Sequence, residues 1–172
     1  MKIKKALSKI FLIYFKILEI ADSQLYIKTF PKYLSWLGVN IDPQREPGYI
    51  SPSVDFDGND YSLIKIGSGT TISKNVLILT HDYSIKKGLY YLGKHTNAHF
   101  LKRIEIGDNC LIGARACLLP GTKIGNNVII GTGAVVKGII PNNSIVIGNP
   151  ARVVGDIEQW TQKHITKGDY LE

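Results

Sequence analysis

The chain has 172 residues, of which 44% are hydrophobic and 20% charged, and it carries a net charge of +7. These values suit one globular domain with an ordinary core and exclude a disordered or fibrous chain. The charge is uneven: residues 1–40 hold seven Lys against Glu19 and Asp22, so that segment alone is +5. The asymmetry points to an N-terminal arm with a partner of its own, and no nucleic-acid motif or basic–aromatic interleaving accompanies it, so nucleic acid is excluded as a partner.

In chain order, residues 2–20 predict an amphipathic helix, because Ile3, Leu7, Ile10, Tyr14 and Ile17 recur at three and four residues while Lys2, Lys5, Lys9 and Lys16 fall mostly elsewhere. Its longest apolar run, Ile10–Phe15, is too short to span a bilayer. No small-residue cleavage site follows it, so a signal peptide is not expected. Two readings of this helix stay open: it packs on the rest of the molecule or a neighbouring subunit, or residues 1–20 lie on an anionic membrane surface. Pro31 is expected to break regular structure. The arm is bounded at residues 1–40, and Ile41–Gly48, with Pro43 and Pro47, reads as a linker.

Irregular coil is expected from Ile50 to Lys65, and regularity then begins. Ile66, Ile72 and Ile78 recur every six residues, as do Ile106, Ile112, Leu118, Ile124, Ile130 and Val136. Four residues after most of these comes a small or β-branched residue, among them Thr70, Val76, Cys110, Ala116 and Ala134. A six-residue beat fits neither a helix nor a simple alternating strand; it fits a parallel β-solenoid whose flat faces take one hexapeptide each. The aliphatics fill the interior and Gly eases the corners. The beat stops at His81 and resumes near Ile104, so residues 82–103 leave the coil, and long excursions from a regular scaffold usually carry function. The repeats end near Pro141, with a last strand over Ser144–Gly148. Residues 41–155 thus form the repeat domain, and in the tail, 156–172, a short helix over Asp156–Lys167 is expected to cap the open end. Cys110 and Cys117 have neither zinc-ligand nor disulfide-framework spacing, which predicts reduced thiols and a cytoplasmic protein.

Four blocks carry a resemblance to a known family: Ile78-Leu-Thr-His-Asp-Tyr-Ser84, Ile106-Gly-Asp-Asn-Cys-Leu-Ile-Gly-Ala-Arg-Ala116, Leu119-Pro-Gly-Thr-Lys-Ile-Gly125 and Ile147-Gly-Asn-Pro-Ala-Arg-Val-Val154. In this order, over roughly residues 37–154, the chain resembles the left-handed β-helix acyltransferases of the hexapeptide-repeat superfamily. Within it, the likeness is nearest to the sugar and polysaccharide O-acetyltransferases and their galactoside and maltose relatives. The resemblance implies a left-handed parallel β-helix, a homotrimer with each active site between two solenoids, acetyl-CoA as acyl donor and no metal requirement. It also implies direct transfer of acetyl to a hydroxyl of a sugar or glycan intermediate, at the inner face of the membrane if the arm binds lipid.

His81 sits where the coil ends and the excursion begins, at the place of the family's catalytic His. Neutral imidazole, with an ordinary pKa of about 6.5, can take the proton of an alcohol at neutral pH. By resemblance the oxyanion of the tetrahedral intermediate meets the backbone N–H of Ala114, a type of contact typically worth about 3 kcal/mol. Gly113, Gly131 and Ala134 would let CoA approach the coil backbone, although the repeat itself also demands small residues there. Lys137 and Arg152 are the candidate phosphate contacts, with Lys137-Gly-Ile-Ile-Pro141 departing from the family's Thr-Lys-Asp-Ile-Pro. Leu111 stands where some relatives carry Trp near the acetyl group. Asp55 or Asp57 is expected to bind acceptor hydroxyls or support His81, their bland role being that of turn residues in Asp57-Gly58-Asn59-Asp60. Tyr83, in an excursion also holding Tyr90, Tyr91 and several Lys, presents a flat, partly polar face suited to a sugar ring. His95 and His99 read as loop residues.

Other acceptors stay open: an antibiotic, serine or an amino sugar. A noncatalytic trimeric CoA-binding scaffold is a further reading. A γ-type carbonic anhydrase would need three His converging on a metal, and His95 and His99 lie outside repeat positions.

Overall fold

The computed structural model describes residues 2–42, 44–45, 47–57 and 60–171, with side chains from Ile10 onward. The expected roles of Lys2, Ile3, Lys5, Leu7 and Lys9, of Pro43 in the linker and of Gly58 and Asn59 in the turn lie outside the described residues.

The arm is two helices rather than one, α1 (Lys2–Ala21) and α2 (Ser23–Leu37). Asp22 separates them by capping α2, its side chain accepting from the N–H of Leu25 at 2.9 Å. Pro31 does not break α2: it lies inside the helix, buried beside Phe30. Tertiary packing overrides its local cost here, because the aromatic face of α2 is the arm's core. Phe15 meets Phe30 and Tyr33 at ring-centroid separations of 5.1 and 4.9 Å, and Tyr26 stacks on Phe30 at 5.0 Å. Two hydroxyls tie this core to the rest of the molecule, Tyr26 donating to the carbonyl of Ile50 and Tyr49 to the carboxylate of Glu19. Gly38 ends α2 in the left-handed conformation, φ +117°, and returns its N–H to Leu34.

From residue 40 the chain winds as a three-faced parallel solenoid. The first coil is β1 (Asn40–Ile41), β2 (Tyr49–Ile50) and β3 (Asp55–Phe56); the second is β4 (Ile64–Ile66), β5 (Thr71–Ile72) and β6 (Leu77–Ile78). The excursion follows as β7 (His81–Asp82), α3 (Ser84–Tyr91) and β8 (Phe100–Leu101). The third coil is β9 (Ile104–Ile106), β10 (Leu111–Ile112) and β11 (Cys117–Leu118), and the fourth β12 (Lys123–Ile124), β13 (Ile129–Ile130) and β14 (Val135–Val136). The last turn is β15 (Ile139–Ile140) and β16 (Ser144–Ile147), from which β17 (Arg152–Asp156) returns antiparallel before α4 (Ile157–Lys167). The first face is β1-β4-β9-β12-β15, the second β2-β5-β10-β13-β16-β17 and the third β3-β6-β11-β14.

Register stacks the six-residue aliphatics directly. Ile66, Ile106, Ile124 and Ile140 align on one face, Ile72, Ile112 and Ile130 on the next, and Ile78, Leu118 and Val136 on the third. Most are fully buried, so each coil completes the core of its neighbours. At the corners the coils touch: a Cβ on Gly107 would stand 2.4 Å from the carbonyl oxygen of Gly125, so only glycine fits. Asn109, Asn127 and Asn143 take left-handed corner positions and bond side chain to side chain at 2.9 and 3.0 Å.

Two expectations need correction. Ile50–Lys65 is not irregular coil, because β2 and β3 pair with β5 and β6 and complete the first coil. Their inward residues, Ile50 and Phe56, keep the six-residue spacing opposite Ile72 and Ile78, but the beat is hidden by long corners on either side, nine residues from Ile41 to Ile50 and ten from Phe56 to Ile66. At the other end, α4 does not seal the solenoid: none of its residues is buried and its packing is on β17.

Candidate active site

The excursion is anchored by β7 pairing antiparallel with β8, His81 opposite Leu101 and Asp82 opposite Phe100. His81 therefore stands on a short ribbon at the edge between the third and first faces. One coil below, β3 delivers Asp57 to the same edge. Its Oδ2 lies 2.5 Å from His81 Nδ1 and also accepts from the backbone N–H groups of Thr80 and His81 at 3.0 and 3.2 Å. The Asp57 side chain is 12% exposed and the imidazole 36%, so the carboxylate is sheltered while the ring reaches solvent. A carboxylate held by three donors fixes ring and tautomer together: Nδ1 carries the proton toward Asp57, and Nε2 keeps the lone pair that can take a proton.

Asp82 has another task. Its Oδ1 accepts from the N–H of Ser84 at 2.7 Å, opening α3. That hydrogen bond, with help from the Ser84 hydroxyl and the Lys137 charge, holds the Asp82 carboxyl below the usual carboxylate range. Lys137, from the fourth coil, thus stands at the same edge as His81. Asp82, Phe100, Lys102, Leu119, Pro120 and Lys137 line a depression of about 80 Å³. Tyr83 meets His81 edge-on at 5.3 Å, and His99 packs against Tyr83 in turn at 4.9 Å. A half-exposed ladder of rings therefore leads outward from the imidazole. Leu119 and Pro120 entered the sequence reading only as part of a resemblance block, and Phe100 was not singled out. The signal for Phe100 was the return of the chain to repeat register at Ile104, which forces residues 100–102 back past residue 81.

The other candidates lie elsewhere. Asp55 points outward on the third face, opposite Leu77, and makes no hydrogen bond to His81. Gly113, Ala114, Gly131 and Ala134 occupy the edge between the second and third faces. That edge and the His81 edge flank the third face on opposite sides. The Ala114 carbonyl accepts from Gly133 at 2.9 Å, while its N–H has no hydrogen-bond partner among the described residues. A Cβ on Gly113 would stand 2.6 Å from the backbone nitrogen of Thr132, and one on Gly131 would stand 2.7 Å from the Ile147 side chain. Glycine is thus required at both by coil stacking alone. Ala134 is fully buried, so its side chain belongs to the core. Arg152 is exposed on β17, its guanidinium donating to the Ala151 carbonyl at 2.9 Å. Among the described residues no group of three or more His, Cys, Asp or Glu is placed to hold a metal; His95 instead packs on Tyr90 at 5.0 Å. A larger groove, of about 290 Å³, lies on the first face among Arg45, Lys65, Glu105 and Asp108. There Arg45 and Asp108 pair at 2.9 Å, and Glu105 meets Lys123 at 3.6 Å.

Residues 97–138 match the family model described as bacterial transferase hexapeptide (six repeats). Protein CapG of Staphylococcus aureus is 34% identical over 154 residues, covering 87% of this chain and 87% of that protein. Galactoside O-acetyltransferase of Escherichia coli is 32% identical over 65% of this chain and 52% of its own length. The crystal structure of a maltose O-acetyltransferase from Clostridium difficile superposes with a TM-score of 0.50 at 35% identity, over 60% of this chain and 52% of that one. The chain spans about half the length of several curated relatives it matches, 52% and 46% in two further cases.

Proposed function

The chain belongs to the hexapeptide-repeat, left-handed β-helix acyltransferases, and we propose that it is an acetyl-CoA-dependent O-acetyltransferase acting on a hydroxyl of a sugar or glycan. The observation that carries this reading is the 2.5 Å contact between His81 Nδ1 and Asp57, which leaves Nε2 as a base at the rim of an open excursion. In the proposed step Nε2 takes the proton of the acceptor hydroxyl as that oxygen attacks the thioester carbonyl. The tetrahedral intermediate collapses with cleavage of the C–S bond, and the proton passes from His81 to the departing thiolate. Asp57 stabilises the imidazolium between these events. The thiol of Cys110 is pushed up by burial, and so is that of Cys117. Both are poor nucleophiles in that state, which favours direct transfer over an acyl-enzyme.

The unpaired N–H of Ala114 suits the oxyanion, yet it stands across the third face from His81. A homotrimer resolves this: the His81 edge of one protomer faces the Ala114 edge of the next, and acetyl-CoA lies between them with Lys137 and Arg152 available to its phosphates. Tyr83, extended by His99, offers the acceptor ring a stacking surface. The names of the relatives, maltose and galactoside O-acetyltransferases, support the sugar class. Free Cys110 and Cys117 support a cytoplasmic site of action, where acetyl-CoA is made.

The test is thiol release from acetyl-CoA with a panel of sugars, nucleotide sugars and oligosaccharides. We expect acceptor-dependent release that falls about 100-fold or more in His81→Ala and in Asp57→Asn, with CoA binding retained. Wild-type rates in either variant would remove that residue from the mechanism. CoA binding without turnover for any acceptor would favour the scaffold reading.

A further inference from the structure

The arm has a second face that nothing among the described residues covers. Phe15 and Leu18 turn one side of α1 inward, while Ile10, Ile13, Tyr14, Ile17 and Ile20 form a stripe on the other, with Ile13 and Ile17 each 62% exposed and Ile20 87%. Spacings of three and four residues keep this stripe on one side of the helix. Trp36 of α2, 46% exposed, packs edge-on against Phe11 at 6.2 Å and widens the patch with an aromatic border. A contiguous apolar surface of this kind marks an interaction site in a soluble protein.

Charge decides the occupant. By helical spacing, positions 2, 5, 9 and 16 of the sequence, all Lys, fall along one flank of the stripe. The one acid within α1, Glu19, is turned away and bonded to Tyr49. A second copy would bring this basic flank against its own kind, whereas an anionic lipid surface complements it. Among the described residues no helix is long and apolar enough to cross a membrane, so the helix would lie in the interface. We propose that the outer face of α1, bordered by Trp36, docks the protein on an anionic lipid bilayer, with the apolar stripe among the acyl chains and the lysines at the headgroups. This inference stands independently of the acetyl-transfer reading.

The test is flotation of the full-length protein with vesicles of phosphatidylcholine alone or mixed with phosphatidylglycerol. Partitioning to the anionic vesicles should exceed that to the neutral ones by about tenfold at low salt and fall in high salt. The double variant Ile13→Glu/Ile17→Glu, at exposed positions, should lose this binding and keep the wild-type thermal transition and sedimentation mass. Lys16→Glu should weaken binding by several-fold. Equal partitioning to both vesicle types, or unchanged binding of the double variant, overturns the proposal. A lighter assembly in the double variant also overturns it, by assigning the stripe to contact between copies.

Discussion

The solenoid and the helical arm reach burial by opposite routes. In the solenoid each coil repeats one solution: an aliphatic inward, a small residue beside it and a left-handed corner held mostly by Gly or Asn, with Arg115 the exception at φ +59°. Ile72, Ile78, Ile112, Leu118 and Ile130 all reach zero exposure without an aromatic ring among them. The arm has no repeat. Its core is centred on Phe15, Tyr26, Phe30 and Tyr33, and it joins the first coil through hydroxyl hydrogen bonds and apolar packing that continues into the solenoid core. A solenoid core spreads its stability over nearest neighbours, whereas the arm concentrates it in a few rings.

That contrast can be broken in measurable ways. The largest effect is expected from Phe30→Ala, at about 3–5 kcal/mol, felt only by the arm. Thermal unfolding should split, with an early helical transition ahead of an almost unchanged solenoid. One cooperative transition would show that the two regions are a single unit. Ile112→Ala should cost about 2–5 kcal/mol and lower the solenoid transition as a whole, because Ile112 is stacked between Ile72 and Ile130. If the arm melts first in that variant instead, the energetic separation is wrong.

A smaller effect should appear in alkali. Burial pushes the Tyr33 hydroxyl up to about 12, and it also raises Tyr26, Tyr49 and Tyr61 around the same joint. These groups ionise more readily in the unfolded chain, near pH 10, so their contribution is intact below pH 10 and is lost as pH rises toward 12. Phenolate absorbance should therefore lag in the native protein and then rise together with loss of arm helicity. Normal titration with the arm still folded would contradict the buried joint.

The two regions were also unequally legible. The six-residue beat is a local signal, and it specified the faces, the inward residues and the place where the chain leaves the coil. The first coil escaped because its corners exceed the six-residue step, nine residues from Ile41 to Ile50 and ten from Phe56, past Asp57, to Ile66, although Ile50 and Phe56 sit in register opposite Ile72 and Ile78. The same departure is what supplies His81 with its carboxylate. Asp57 was one of two carboxylates the sequence could offer, and only the coil-to-coil register of β3 under β6 chose it over Asp55. The second helix and the buried Pro31 were not legible, because aromatic packing has no fixed period. The ring ladder from Tyr83 to His99 depends on a tertiary return of the excursion that no spacing encodes.

The central claim is that one site draws on two protomers, His81 and Asp57 on one and the Ala114 N–H on the next. The direct measurement is subunit complementation between His81→Ala and Ala114→Pro, which removes the donor proton. Each variant alone should form inactive trimers. The whole population of trimers assembled at random from equal amounts should recover about one quarter of wild-type acetyl transfer, the statistical share of interfaces with both intact halves. Mixed trimers of the correct mass that stay inactive would show that the site does not span the interface.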